Sequence, residues 1–462
     1  AARAASAAAA EAAAASATAA GLRPGALRPR THYIDWLRTF LTLDVIVHHC
    51  VCAYLGSGPW TAKRKDDTAL WLLSQLFVGG NQAYFMTLFF FISGIYVTPS
   101  YDRKGARKFM IDRTLRLVVP CIFYSLLVPP YLQWWNGYVK NPTSHPSIRQ
   151  AFANWLKPSW PLKYNLATGP PWFVWMLWCF NAAYVIIRLI LATKAGVFVM
   201  SKAKAALAGR RARRGPGASD ADDEDAAIAA KSSAPAGPYS TRATLLGGAA
   251  LIFALFSTMY TARIVAALQF NFKPSTFVQK GPMMQFMPEF LPVYIIAFAL
   301  GIYSHPKSPV RATANLLNRL PHWAGWCLVC GGIWWVQAGW LPNTVMHSSF
   351  VGKKGDAVMA GVWLMRTFVE QSFAVVWSAG LLMLFRDFLN KRPNAVGDVI
   401  NGAAYGAYLL HPAIIPLYAA ALIPFWYPSF VVNAIAICVP VVGTTWLLAA
   451  GLKAIPGVDR VL

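Results

Sequence analysis

Residues 33–57 read YIDWLRTFLTLDVIVHHCVCAYLGS, an apolar run that carries Asp35, Arg38, Asp44, His48 and His49 inside it or at its edge. About 20 helical residues at 1.5 Å each cross the roughly 30 Å hydrocarbon core of a bilayer, so the run has spanning length. Ionisable groups in such a span are costly in lipid unless they face protein or a cavity, and by default they point to function. On a helix, Arg38 and His49 fall within about 20° of one face and about 16 Å apart along the axis, so they can line one channel from opposite ends. His48 lies on another face. It follows Asp44 by four residues, a spacing at which a carboxylate and an imidazole can pair.

The whole chain shares this character. Of 462 residues, 56% are hydrophobic and 13% charged, against about 25% charged in an ordinary soluble protein. There is too little polar surface to cover several water-facing domains, and the chain reads as a membrane protein. Its net charge of +24 would suggest nucleic acid in a soluble protein, but in a membrane protein it records basic cytoplasmic loops. No nucleic-acid partner is expected. The seven cysteines are too sparse for a disulfide framework. Cys327 and Cys330 have CxxC spacing without a second pair, so all seven read as packing residues and no metal site is expected.

The expected fold is an all-α, polytopic transmembrane bundle of about ten spans, near 35–56, 71–97, 115–134, 172–193, 244–268, 286–304, 323–341, 359–385, 401–422 and 428–451. Basic residues fall in alternate connections: Arg103 to Arg116, Lys194 to Arg214, Lys307 to Arg319, and Arg386 to Arg392. That bias puts both termini in the cytoplasm, with the Lys63–Lys65 loop partly against it. Residues 1–30 are Ala-rich and read as a disordered segment, while 31–455 form the transmembrane domain. A polar linker at 195–240 interrupts that domain, too rich in Ala, Gly and Pro to fold alone; its basic half could touch anionic lipid. Trp60, Trp71, Trp134, Trp135, Trp172, Trp323, Trp340 and Trp426 sit near span ends, where headgroup-level aromatic residues are expected.

Two groupings could carry chemistry. One is the Arg38, Asp44, His48 and His49 set, in which a histidine could take a proton from a hydroxyl as it attacks an acyl carbonyl, because an imidazole pKa near 6.5 suits general-base work. The same groups could form interhelical hydrogen bonds or serve proton-coupled transport. The other is Tyr405, Tyr408 and His411, recurring every three residues on one side of the ninth span before Pro412, which could bend or break the helix. Arg366 and Glu370, four apart, read as an ion pair, and Glu289 follows Pro288 near an outer span end. The glycines at 79, 80 and 94 read as close helix contacts. There is no nucleophile elbow, phosphate loop or HExxH motif.

The first span, together with FMTLFFFISGIYV (85–97), RKFMIDRTLRLVVP (107–120), GPPWFVWMLWCF (169–180) and YGAYLLHP (405–412), resembles the acyltransferase family 3 integral membrane proteins over nearly all of residues 31–450. The motif order is similar to the glucan biosynthesis protein C type within that family, thought to succinylate glucans. The family has an arginine followed, after ten intervening residues, by its essential histidine. That resemblance implies that His49 rather than His48 inherits the catalytic role, with Arg38 as its partner. It also carries a donor role to Arg113 and Arg116, which could hold the phosphates of acyl-coenzyme A, although topology control by positive charge would use the same residues. Asp44 and His411 join Arg38 and His49 as candidates for the chemistry; Trp172 and Tyr408 join the two arginines as candidates for donor binding.

The expected activity is O-acyl transfer from acyl-coenzyme A to a hydroxyl of a carbohydrate or other small acceptor, with membrane lipid around the protein and no permanently bound cofactor. Two rival readings stay open on these residues: a transporter of a sugar, lipid or acyl compound, and a noncatalytic scaffold whose polar groups only fix helix packing.

Overall fold

A computed structural model describes residues 32–54, 68–157, 169–193, 241–270, 278–280, 284–304, 320–335, 356–422 and 430–462. The Ala-rich start, the Lys63–Lys65 loop, the 195–240 linker, and Trp60, Trp340 and Trp426 lie outside the described residues.

The run that opened the sequence reading forms α1 (His32–Tyr54). Its apolar positions Ile34, Leu37, Leu41, Val45, Ile46 and Cys50 are buried to 2% exposure or less, so α1 packs inside protein rather than against lipid. It is therefore able to carry charges that would be expelled from a lipid-facing helix. Next come α2 (Thr68–Ile95) and α3 (Val97–Arg113). Gly105, at a φ of 74° that L side chains rarely adopt, breaks the helical backbone inside α3. A five-residue π-helical turn (Thr114–Val118) leads without a break into α4 (Val119–Lys140). The short α5 (Ile148–Leu156) opens with a capping box, in which the Ser147 hydroxyl accepts from the Gln150 amide while the Gln150 side chain accepts from the Ser147 amide.

Then follow α6 (Trp172–Leu191), α7 (Thr241–Phe270), a two-stranded antiparallel ribbon of β1 (Val278–Lys280) and β2 (Met284–Phe286), and a 3-10 turn at Pro288–Phe290. The chain ends with α8 (Leu291–Tyr303), α9 (322–335), α10 (Asp356–Phe388), α11 (Ala395–Leu422) and α12 (Phe430–Lys453). Helix overlaps every one of the expected spans. Six helical stretches among the described residues are long and apolar enough to cross a membrane: Val97–Val139, Trp172–Leu191, Thr244–Leu268, Gly361–Phe388, Ala395–Leu422 and Val432–Lys453. The chain is an integral membrane protein. α1 is not among the six, as its composition of Asp35, Arg38 and Asp44 foretells, and α8 has only 13 residues.

Two apolar cores flank α1. One packs Leu37, Leu41 and Val45 with Phe85, Phe90, Phe173, Tyr294 and Phe373, and the other packs Ile46, Cys50 and Ala53 with Leu132, Ala407, Ile415 and Ile437. Outward faces carry bare apolar side chains, among them Ile186 and Ile190 on α6, Leu246 and Phe253 on α7, and Val439 and Leu447 on α12. Such a belt would be an aggregation hazard in water and is the expected surface in lipid.

Three expectations need correction in detail. Cys327 and Cys330 are exposed rather than packed, while Cys50 and Cys121 are buried. Trp172 is buried, with its ring centroid 5.7 Å from that of Tyr294, instead of sitting at a headgroup surface. Pro412 does not break its helix: α11 runs through it and through Pro416 to Leu422. Among the described residues, no group of three or more His, Cys, Asp or Glu side chains could hold a metal ion.

Candidate active site

α1, α2 and α11 together assemble a cluster of polar side chains. His49 on α1 meets His411 on α11, its Nδ1 lying 2.7 Å from His411 Nε2, with the two ring planes within 6° of parallel and their centroids 4.9 Å apart. His411 is fully buried, and its Nδ1 lies 2.5 Å from the backbone oxygen of Tyr408. The Tyr408 hydroxyl donates in turn to the backbone oxygen of Pro170 at 2.5 Å, fixing the Gly169–Pro171 approach to α6 against α11.

Asp44 stands apart from this pair. Its two carboxylate oxygens accept from Asn81 Nδ2 at 2.8 Å and from the Tyr84 hydroxyl at 2.7 Å, both on α2. The anticipated Asp44–His48 pairing is replaced by these bonds. His48 is buried, its ring edge-on to His49 at 5.3 Å and 5.1 Å from Phe85, and its Nδ1 has no hydrogen-bond partner. Of the two adjacent histidines, only His49 faces α11.

Tyr408 also borders a cavity of about 270 Å³, lined further by Asp35, Arg38 and Thr42 of α1, Arg113 and Arg116, Phe173 of α6, and Asn401 and Tyr405 of α11. Arg38 is half-exposed within it, 3.7 Å from Asp35. A second cavity, also about 270 Å³, is lined by Arg103, Lys104, Asp112, Arg113 and Arg116. Tyr96, Arg113 and Arg116 line both, so the two adjoin. Five basic side chains, Arg38, Arg103, Lys104, Arg113 and Arg116, thus face two acidic ones, Asp35 and Asp112, of which Asp112 accepts from Lys104 at 2.5 Å.

The local geometry follows from the sequence. The π-helical turn is a form that recurs at functional sites. It contains Arg116, whose backbone oxygen accepts from the Tyr405 hydroxyl at 2.6 Å, and Thr114, whose hydroxyl accepts from Trp178 Nε1 at 3.0 Å. The Arg113 guanidinium lies 5.1 Å from the centre of the Phe109 ring. Asn401 is held by Thr39, whose hydroxyl donates to Asn401 Oδ1 at 2.6 Å, while Asn401 Nδ2 is buried without a hydrogen-bond partner. This side chain was not among the sequence candidates. Its signal was a polar amide at the start of an apolar span.

Arg38, Arg113, Arg116 and Tyr408 therefore share one cavity, and His49 and His411 touch beyond its Tyr408 end. Asp44 and Trp172 are not brought to it. A comparison with protein families matches residues 31–450 to the acyltransferase domain of acyltransferase family 3. The chain belongs to acyltransferase family 3. No curated protein and no solved structure matches it. Membership in acyltransferase family 3 makes the protein a membrane acyltransferase and gives the imidazole pair and the basic cavities a common chemical context.

Proposed function

We propose that the protein transfers an acyl group from acyl-coenzyme A to a hydroxyl of a carbohydrate or other small acceptor, with His49 as general base. The single observation that carries this reading is the basic cavity system around Arg38, Arg113 and Arg116, ending at Tyr408, whose carbonyl is bonded to the partner of His49. A donor with an anionic head and an extended uncharged arm suits a basic entrance followed by a chamber of aromatic and amide groups. Guanidinium groups bind phosphate oxygens in bidentate fashion. The roughly 16 Å rise from Arg38 to His49 along α1 gives the arm length to carry its thioester to the imidazole.

In the reaction, His49 removes the acceptor hydroxyl proton as the oxygen attacks the thioester carbonyl. The new C–O bond forms, the C–S bond breaks, and the proton held by His49 passes to the departing sulfur, releasing coenzyme A as thiol. Arg38, Arg113 and Arg116 hold the donor anions, which positions the thioester. Direct transfer needs no covalent enzyme intermediate. Asn401 Nδ2 offers a donor for a carbonyl of the bound arm. Trp172 supports this site from behind through Phe173, its neighbour at 6.5 Å.

The topology belonging to this proposal is ten spans with both termini in the cytoplasm. The start of α1 meets Asn390 and the end of α10 meets the start of α9, where His322 Nδ1 lies 2.8 Å from Asp387. Arg386, Lys391 and Arg392 thereby gather at the same end of the bundle as the entrance to α1, which supports a basic cytoplasmic face. The glucan-type acceptor is the most specific form of the reading and rests on motif order alone.

Reconstituted vesicles loaded with candidate sugars and supplied outside with labelled acetyl-, succinyl- and longer acyl-coenzyme A test the assignment. The expected result is new labelled ester that depends on both donor and acceptor. Net movement of intact substrate without new ester would replace it with transport.

A further inference from the structure

The contact between His49 and His411 also assigns the hydrogens on their rings. In a regular α-helix the amide of residue 412 would donate to the carbonyl of residue 408, but residue 412 is proline and has no amide hydrogen. The Tyr408 carbonyl is thus left without its helical donor, and His411 Nδ1 lies 2.5 Å from it. A carbonyl oxygen only accepts, so His411 Nδ1 carries a hydrogen. In a neutral imidazole the other nitrogen is then the acceptor, and His411 Nε2 faces His49 Nδ1 at 2.7 Å. His49 Nδ1 must donate, and the lone pair of His49 resides on Nε2.

Neutrality of His411 follows from its surroundings. His411 is fully buried, and its polar and aromatic neighbours are His49 and Tyr408, with His48 edge-on to His49. The nearest carboxylate on α1, Asp44, has both oxygens occupied by Asn81 and Tyr84. Among the described residues no carboxylate bonds to His411, and a buried cation with no anion beside it is strongly disfavoured.

We propose that His411 is a positioning residue: held by the carbonyl that Pro412 leaves open, it keeps His49 in the Nδ1–H tautomer, so that His49 Nε2 is the atom that takes the acceptor proton. This rests on the reading of His49 as the base. It differs from the serine-hydrolase arrangement in that a neutral imidazole, and not a carboxylate, orients the base. When His49 takes the proton, its Nδ1–H still donates to His411 Nε2, so proton transfer needs no rearrangement of the pair.

The test reads the tautomer directly and needs no acyl donor or acceptor. Full-length protein labelled with ¹⁵N-imidazole histidine is studied in detergent by NMR, with the His49 signals assigned by their loss in His49→Gln. The expected spectrum of the unaltered protein shows His49 protonated at Nδ1. His411→Leu should shift His49 to a mixture of tautomers or to the Nε2–H form. His411→Gln, whose carbonyl oxygen can accept from Nδ1–H, should restore the original signature. An Nε2–H form of His49 in the unaltered protein overturns the proposal, whether or not the leucine variant folds; so does an unchanged His49 tautomer in a folded His411→Leu protein. Either result leaves the acyltransferase reading standing, while absent acyl transfer with the expected spectrum would remove that reading and leave only the tautomer assignment.

Discussion

Asp44 is a tie between α1 and α2, because both of its oxygens are consumed by Asn81 and Tyr84, themselves 8% and 2% exposed. Replacing it with leucine would strand two buried donors, at about 1–3 kcal/mol each. Asp44→Leu is therefore expected to lower the thermal unfolding midpoint in detergent, whereas Asp44→Asn, which retains one acceptor, should lower it less. Loss of turnover in Asp44→Asn at unchanged stability would instead place Asp44 in the chemistry. His48→Ala is expected to leave acyl transfer within a few-fold of the unaltered protein, since His48 faces Phe85 and not α11. At this scale, helical periodicity alone put Arg38 and His49 on one face and His48 on another. It could not supply the partner of Asp44, because the i,i+4 spacing to His48 competes with groups on α2 whose register no single-helix pattern contains.

Two helix contacts carry much of the assembly. α2 and α8 approach so closely at Gly94 and Gly301 that an added Cβ at Gly94 would lie 2.2 Å from the Phe298 backbone oxygen, and one at Gly301 would lie 2.1 Å from the Phe91 backbone oxygen. Backbone cannot move aside as a side-chain tip can, so Gly301→Val is expected to destabilise by at least the 1–3 kcal/mol usual for overpacking. Unchanged unfolding of that variant in detergent would contradict the contact. The second is a buried ion network in which Arg263, 2% exposed, joins Glu370 at 2.8 Å and Glu289 at 3.3 Å, and Arg366 joins Glu370 at 2.7 Å. Removing Arg263 leaves two buried carboxylates short of a cation, so Arg263→Met should cost about 3–5 kcal/mol, measurable by the same unfolding assay. The Arg366–Glu370 pair was legible from its spacing. Arg263 was visible as a lone charge in the apolar run 244–268, but its partners come from α10 and the 3-10 turn before α8, which only the tertiary fold brings together.

Across the whole molecule, low charge content, apolar runs and alternating basic connections were enough to read a polytopic helical membrane protein. The six helices that meet the length and apolarity needed to cross a bilayer agree with that class. α1 is not among the six, and enclosed by protein it can hold charged residues that a lipid-facing helix cannot. The adjoining cavities could not be read from the sequence, since they depend on how α3, the π-helical turn, α6 and α11 meet around Arg113 and Arg116. If these arginines hold donor phosphates, Arg113→Ala and Arg116→Ala should raise the KM for acyl-coenzyme A about tenfold or more with kcat little changed, and added salt should weaken donor binding. A fall in kcat alone would assign them elsewhere. The most direct measurement of the central claim is acceptor-dependent transfer of labelled acyl groups from acyl-coenzyme A by purified protein, comparing the unaltered chain with folded His49→Ala. The account predicts ester formation reduced by about 10²–10⁴ in the variant, the range general-base catalysis supplies; undiminished transfer in His49→Ala would contradict it.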